Sequence, residues 1–396
     1  MRIEIISPFV DRQHGTERAI AELAERLAFQ HRDSVHLFSQ RVSDLRLSEG
    51  DAGEDQAGLF WHRVPALRGP HLLGFVAWLF LNRRERSRVA LHSRQQAGVT
   101  FSPGINALDA DVIQVHAVFH RLVELQSAGN PFGLRGLHRR IYYALLRFLE
   151  RRIYRDPRVI LAAGSKHTAD QIQRYIGRND VAIIPHGVDH RWFSPQAVQA
   201  MRAGARKKYR CEENEIILLL IGNDWRNKGL NTLLAALARC ADLPLRLLVA
   251  GQDEPAPMRA EAARLGIGAR VEFLAPLQDV RELYAAADIL TAPSREDSFN
   301  FPVLEAMSCG LPTIVSSRAG MSYWLKDGED TLLLRDPEDA EELAGKLREL
   351  AASRERREEL ARAAQQTAAQ FSWDRHAADL RQLLLRAAER KHNAAK

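Results

Sequence analysis

Cysteine is scarce. Cys211, Cys240 and Cys309 are the three in 396 residues, with no Cys-x-x-Cys pair and no even-numbered framework. That excludes a disulfide scaffold and a thiolate metal site, and it points to a reducing compartment with the thiols as small buried side chains. Long apolar runs are missing too. The longest, Leu72 to Leu81, is ten residues and is followed by Asn82-Arg83-Arg84-Glu85-Arg86, well short of the roughly 20 that a membrane-spanning helix needs. The opening Met1-Arg-Ile-Glu-Ile-Ile-Ser7 carries an acid inside its apolar stretch and passes straight into strand-like alternation, unlike a signal peptide. No transmembrane helix and no leader are expected. Hydrophobic residues at 46% and charged residues at 27% exclude a disordered or fibrous chain.

The chain is rich instead in alternating strands and helices. Its 396 residues suffice for about two domains, each with its own core. Strand-like runs followed by amphipathic helices recur along the whole length, the pattern of parallel sheets covered on both faces. The first half opens with Arg2 to Ser7, a loop to Gly15 and a helix from about Thr16, and continues through the runs 35–38 and 111–115 to an end near Pro195. The second opens afresh with the run 216–221, a loop to Lys228-Gly229, a helix from Leu230 to Cys240 and the run 245–249. This predicts an α/β protein with domains 1–195 and 196–372, repeated in architecture but not in sequence. The polar stretch 196–214 reads as linker plus a short helix, and 338–396 reads as helical throughout.

Asp297-Ser298-Phe299-Asn300-Phe301-Pro302-Val303-Leu304-Glu305 places two carboxylates eight residues apart, the first in a loop after the apolar run 288–293 and the second inside a helix. Backbone N–H groups at a helix start can receive phosphate oxygens, and the acids can take hydroxyls, so the stretch suits a polyhydroxylated, phosphorylated ligand. Spacing alone is a weak signal, since most such pairs are a loop acid and a helix-face acid. Gly222-Asn-Asp-Trp-Arg226-Asn-Lys228-Gly229 follows the first strand of the second half and sets two cations beside a helix N-terminus, where they can neutralise a diphosphate. The plainer reading is surface cations at a βα turn. His116 ends the run 111–115, with His120 four residues on; Gly164-Ser165 and Pro185-His186-Gly187-Val188-Asp189 mark loops late in the first half. Ligands of open parallel sheets bind outside the carboxyl ends of the strands, where these loops fall.

The block 297–312 resembles the E-x7-E signature of retaining glycosyltransferases of the GT-B fold, the family 4 group (glycosyl transferases group 1) that includes lipopolysaccharide-core and mannosyl transferases. Asp297 stands where that family has its first Glu, and Asn300 where Gly is common. Arg226 and Lys228 resemble the phosphate-binding Arg/Lys pair as spaced in lipopolysaccharide-core glucosyltransferases. Residues 185–189 resemble the family's N-G-V-D segment with His186 for Asn, Gly15 is what remains of its Gly-Gly loop, and Gly320 keeps the form of its G-G-x-x-E turn without the acid. The likeness runs from Arg2 to Phe371, more specific in the second half.

The resemblance implies two Rossmann-like domains facing a central cleft, with the last helix, about 373–396, packing back on the first. It implies a nucleotide-sugar donor held by Gly15, Gly222, Arg226 and Lys228 on one set of loops. Asp297, Ser298, Phe299, Asn300, Phe301 and Glu305 make up the other. Asp297 would take donor-sugar hydroxyls, Glu305 the ribose diol, and Arg226 with Lys228 the diphosphate. His116, in preference to His120, would orient the sugar. Neither a metal nor a cofactor is expected.

A net charge of +6 calls for an acidic partner or surface. Between Arg135 and Arg158 there are eight arginines and two acids interleaved with Ile141, Tyr142, Tyr143, Phe148 and Ile153. Such a helix can lie on an anionic membrane, or it can be the solvated face of a packed helix; no nucleic-acid motif accompanies the charge. The resulting expectation is a cytoplasmic enzyme, able to associate with the inner face of the membrane. It would transfer a hexose to a glycan or glycolipid precursor in cell-surface polysaccharide or lipopolysaccharide-type biosynthesis. A GT-B phosphorylase or epimerase, and a non-catalytic nucleotide-sugar-binding subunit, are the alternatives.

Overall fold

A computed structural model describes residues 1–49, 56–67, 69–93, 98–126, 134–275, 277 and 279–394. The chain divides into two compact units, Met1–His186 with Trp373–Lys396, and Gly187–Ser372.

The first unit is built on a parallel sheet in the order Gly58–Arg63, Ser34–Ser39, Arg2–Ile6, Val99–Pro103, Val112–Val115, Ile160–Ala163, Ala182–Ile183. Its central strands read as apolar runs because helices cover both faces: Ile3, Ile5 and Ile6 are fully buried. The helix Trp373–Ala394 belongs to this unit and lays Ala377, Leu380, Leu383, Leu384 and Ala387 into the core around Ile3 and Ile5. Charges pin it. The Asp33 carboxylate accepts from Arg381 Nε at 2.6 Å and Nη2 at 3.0 Å and from the amino terminus at 2.9 Å. Lys391 Nζ lies 2.6 Å from Asp111 at the helix's far end.

The second unit has a six-stranded parallel sheet in the order Val271–Leu274, Leu245–Ala250, Ile216–Ile221, Ile289–Ala292, Thr313–Ser316, Leu332–Leu334. Numbered along the unit this is 3-2-1-4-5-6, the doubly wound order, in which successive crossovers run one way from the first strand and then the other. The switch lies between Ile216–Ile221 and Ile289–Ala292, hydrogen-bonded neighbours. The first unit reverses in the same way between Arg2–Ile6 and Val99–Pro103.

Three details of the sequence reading change. Residues 187–195 join the second unit rather than closing the first, because Val188 N–H bonds Phe371 O at 3.2 Å, His190 contacts Ser308 Oγ at 2.9 Å, and Phe193 enters that unit's core. The supposed linker is the fourteen-residue helix Pro195–Lys208, capped by Ser194. Its Arg202 and Arg206, one turn apart, share Asp288 at 2.5 and 3.1 Å, and its Val198 and Ala205 are buried. The tail after 338 is three helices, Ala340–Ala352, Arg354–Ala368 and Trp373–Ala394, the first two parted at Ser353, which turns extended to cap the next helix with its hydroxyl.

Asp33, 1% exposed in its side chain, serves two cations at once. Asp33→Ala should destabilise the first unit by about 3 kcal/mol, the low end for a broken buried pair since Arg381 keeps some access to water. Scanning calorimetry should show its transition falling while that of Gly187–Ser372 stays put.

Candidate functional site

In the second unit the strand Ile216–Ile221 runs into Gly222 at φ +143°, and a Cβ there would come within 2.7 Å of Lys228 Cε. The missing side chain is what lets the Lys228 stem lie across the strand end. Asp224, at φ +56°, turns the loop back, and its carbonyl accepts from Lys228 N at 2.8 Å. Gly229, at φ +76°, starts the helix Leu230–Arg239 where any Cβ would strike Pro293 O at 1.9 Å. The loop after Ile216–Ile221 is thereby pressed against the loop after Ile289–Ala292.

Asn227 straps the two together, donating from Nδ2 to Glu296 O at 2.8 Å and accepting from Arg295 N at 2.7 Å. Across this strap Lys228 Nζ meets Asp297 Oδ2 at 2.5 Å. The other Asp297 oxygen accepts from Phe299 N at 3.2 Å, and its carbonyl from Gly320 N at 2.8 Å, so the retained glycine turn holds the acid's backbone. Asn300 adopts φ +74°, where the family favours Gly, with its amide donating to Ser294 Oγ at 3.1 Å. Lys228, Thr291, Ser294, Asn300 and Pro302 line a small recess at the strand ends. Arg226 is exposed, and its guanidinium has no partner among the described residues.

The helix Phe301–Ser308 carries Glu305, which is buried and accepts from Tyr284 Oη at 2.6 Å. Phe299 is buried, its ring 5.4 Å from Phe301 and 6.0 Å from Trp324. Its side chain therefore serves the core, and what it can offer a ligand is backbone. Ser298 is half-buried on the loop between Asp297 and Phe299.

The remaining expected residues lie in the first unit. Gly15 opens the helix Gly15–Glu25 after the first strand's loop, with no side chain capping that start. The preceding His14 instead turns its ring to Asp11 at 3.0 Å. Burial alone would raise the Asp11 carboxyl, but bonds from His14 and Gln13 carry it below its usual range. His116 follows the strand Val112–Val115, stacked on His186 at 5.2 Å, and His186 lies 5.0 Å from His376. Burial, and then the neighbouring His376, push His116 down to about 4. His376, whose Nδ1 donates to Pro185 O at 2.8 Å, is likewise pushed down to about 4 by burial. His116 Nε2 is buried and has no partner among the described residues. His120 is spent differently, its Nδ1 2.6 Å from the Glu150 carboxylate that also takes the N–H groups of Phe119 and His120.

The structure thus gathers Gly222, Lys228, Asp297 and Asn300 at one switch point, with Arg226 on the same loop. Sequence reasoning missed the Asn227 strap, the Tyr284 partner of Glu305 and the place of His376 in the imidazole stack. Asn227 had a signal, being a turn-forming amide inside the cationic loop; Tyr284 and His376 had none.

Two family profiles match the chain, "Glycosyltransferase Family 4" over residues 14–192 and "Glycosyl transferases group 1" over residues 201–367. The D-inositol 3-phosphate glycosyltransferase of Rhodococcus jostii is 32% identical over 233 residues, 55% of this chain and 50% of the relative. The lipopolysaccharide glucosyltransferase WaaG of Escherichia coli is 31% identical over 193 residues, 48% of this chain and 50% of that one. The chain thus spans about half the length of the curated relatives it matches. A crystal structure of WaaG superposes with a TM-score of 0.75 at 22% identity, covering 96% of this chain and 99% of that one. The Anabaena protein Alr3699/HepE, solved in complex with UDP-glucose, gives 0.68 at 18% identity over 99% and 100%. These likenesses show the shared GT-B fold.

Both imidazoles of His116 and His376 titrate near 6.5 in an unfolded chain and near 4 in the folded one. On acidification the unfolded state takes up protons first, so their contribution is complete above pH 6.5 and is lost as the pH falls toward 4. The first unit should lose on the order of 1–2 kcal/mol per imidazole between pH 7 and pH 5. A thermal-melting series over that range should show this slope, flattened in His376→Phe.

Proposed function

The chain belongs to the glycosyl transferases of group 1, and from that premise we propose that it transfers a hexose from a nucleotide sugar to a hydroxyl of a glycan or glycolipid precursor, retaining the anomeric configuration. The observation that carries this reading is the Lys228–Asp297 pair at the switch point, with the exposed Arg226, unpartnered among the described residues, on the same loop. Without ligand, Lys228 and Asp297 neutralise each other. A diphosphate, carrying more charge than one carboxylate, would draw Lys228 to itself beside Arg226 and release Asp297 to accept hydroxyl protons from the donor sugar. Glu305, already oriented by Tyr284, would hold the ribose diol.

As the glycosidic bond breaks, negative charge grows on the leaving diphosphate, and cations fixed in advance stabilise it without reorganising. The acceptor proton would pass to the leaving phosphate, so the protein's part is positioning and charge rather than a paired acid and base. The relatives named for inositol phosphate and lipopolysaccharide transfer favour a cell-surface glycan or glycolipid acceptor, and HepE bound to UDP-glucose favours a uridine donor. Such an acceptor calls for a peripheral protein at the inner face of the membrane.

A thermal-shift and turnover panel of UDP, GDP, ADP and TDP sugars tests the reading. One donor should stabilise the protein by about 2.7 kcal/mol at a hundredfold excess over its Kd and be slowly hydrolysed. Lys228→Ala and Asp297→Asn should each abolish turnover, while Tyr284→Phe should weaken donor binding several-fold with little change in kcat, since it removes one bond that orients Glu305. Release of a sugar phosphate from the donor would favour a phosphorylase instead. If no nucleotide sugar stabilises the wild type, the donor site is wrongly placed.

A further inference from the structure

The helix Leu134–Tyr154 in the first unit has two apolar sides where a packed helix needs one. Leu146, Leu149, Ile153 and Tyr154 face inward and are buried. On the outside Leu137, Ile141 and Phe148 are 55%, 50% and 63% exposed. At about 100° per residue these three, with Ala144, form one ridge along the helix, and Arg140, Arg147 and Arg151 lie on one flank of it with Arg152 on the other. Those four arginines are exposed and have no acidic partner among the described residues. The one acid in the helix, Glu150, is fully buried and committed to His120 and to the start of the helix Phe119–Gln126. The side chain of Arg135, where the basic stretch begins, lies outside the described residues.

The neighbouring helix His71–Ser93 meets this one through Phe75, edge-on to Tyr142 at 6.0 Å. It leaves Leu73, Phe80 and Leu91 exposed at 56%, 70% and 80%, with Arg83 and Arg84 also outside. Two helices therefore carry six of the thirteen large hydrophobic side chains that are exposed among the described residues, more than chance scatter on a surface would collect.

We propose that the outer face of Leu134–Tyr154 docks on an anionic lipid bilayer. The Leu137–Ile141–Phe148 ridge would enter the acyl boundary, and the flanking guanidinium groups would reach lipid phosphates beside it on their long stems. A second copy of the chain fits poorly, since a self-complementary contact would set arginines against arginines. Nucleic acid fits poorly too, because an apolar ridge interrupts the cation track and offers a single ring, Phe148, to stack on. The proposal deepens the reading of a glycolipid acceptor, and lipid binding is measured without donor or turnover, so either can fail alone.

The test is co-sedimentation of the full chain with vesicles of phosphatidylcholine, and of phosphatidylcholine with phosphatidylglycerol. The wild type should bind the mixed vesicles, be released by salt and ignore phosphatidylcholine alone. Ile141→Glu with Phe148→Glu, and separately Arg147→Glu with Arg151→Glu, should each lower partitioning about tenfold or more, with melting temperatures unchanged because all four side chains are exposed. Arg264→Glu with Arg354→Glu, the same charge change on the second unit, should leave binding intact. The proposal is overturned if the wild type binds no vesicle, if the helix variants bind as well as wild type, or if the control loses binding equally. Wild-type self-association that the ridge variant abolishes, or duplex DNA binding that it abolishes, would overturn it as well.

Discussion

Strand polarity in a parallel sheet is the constraint on which everything else in the second unit depends. With all six strands running one way, the loops after Ile216–Ile221 and Ile289–Ala292 leave from the same edge. Right-handed crossovers that reverse direction beside the first strand send the two following helices to opposite faces and leave the loops a shared space. Lys228 and Asp297, 69 positions apart, meet there because the strands that deliver them are hydrogen-bonded neighbours. The glycines at 222 and 229 then set how close the loops come, since a Cβ at either would collide with Lys228 or with Pro293.

The ion pair is a device for keeping charge in a largely desolvated place. A lone carboxylate or ammonium there would cost several kcal/mol, and each supplies what the other needs. The arrangement also fixes Asp297 from three directions, through Lys228, the N–H of Phe299 and the N–H of Gly320. With Asp one methylene shorter than Glu, that backbone anchoring sets where the carboxylate can reach, and Asn300 holds in place, through Ser294, a left-handed turn that glycine would adopt without help.

The first unit spends its polar groups differently. The rings of His116, His186 and His376 lie side by side, and burial holds His116 and His376 low, so their effect on stability is felt in acid. Burying Glu150 as a cap for the helix Phe119–Gln126 removes the single acid from the basic helix and leaves its outer face wholly cationic and apolar. The inner packing and the outer character of that helix thus have a common origin.

The amino-acid sequence by itself determined the α/β class, the two successive halves and the loops in which the proposed donor site lies, because alternating periodicity and glycine-rich βα turns are local signals. The residues of 222–229 and 297–305 were legible for the same reason, each motif lying within ten positions. What only the tertiary structure decided were facts of long range: that Lys228 pairs with Asp297, that Tyr284 holds Glu305, that His376 joins His116 and His186, and that Phe299 belongs to the core. The role of 195–208 escaped the sequence because a polar helix looks like a linker until Asp288, 86 and 82 residues from Arg202 and Arg206, is seen to bind both arginines. The basic helix was visible as amphipathic, yet which apolar side faced the core depended on neighbours that no local pattern encodes.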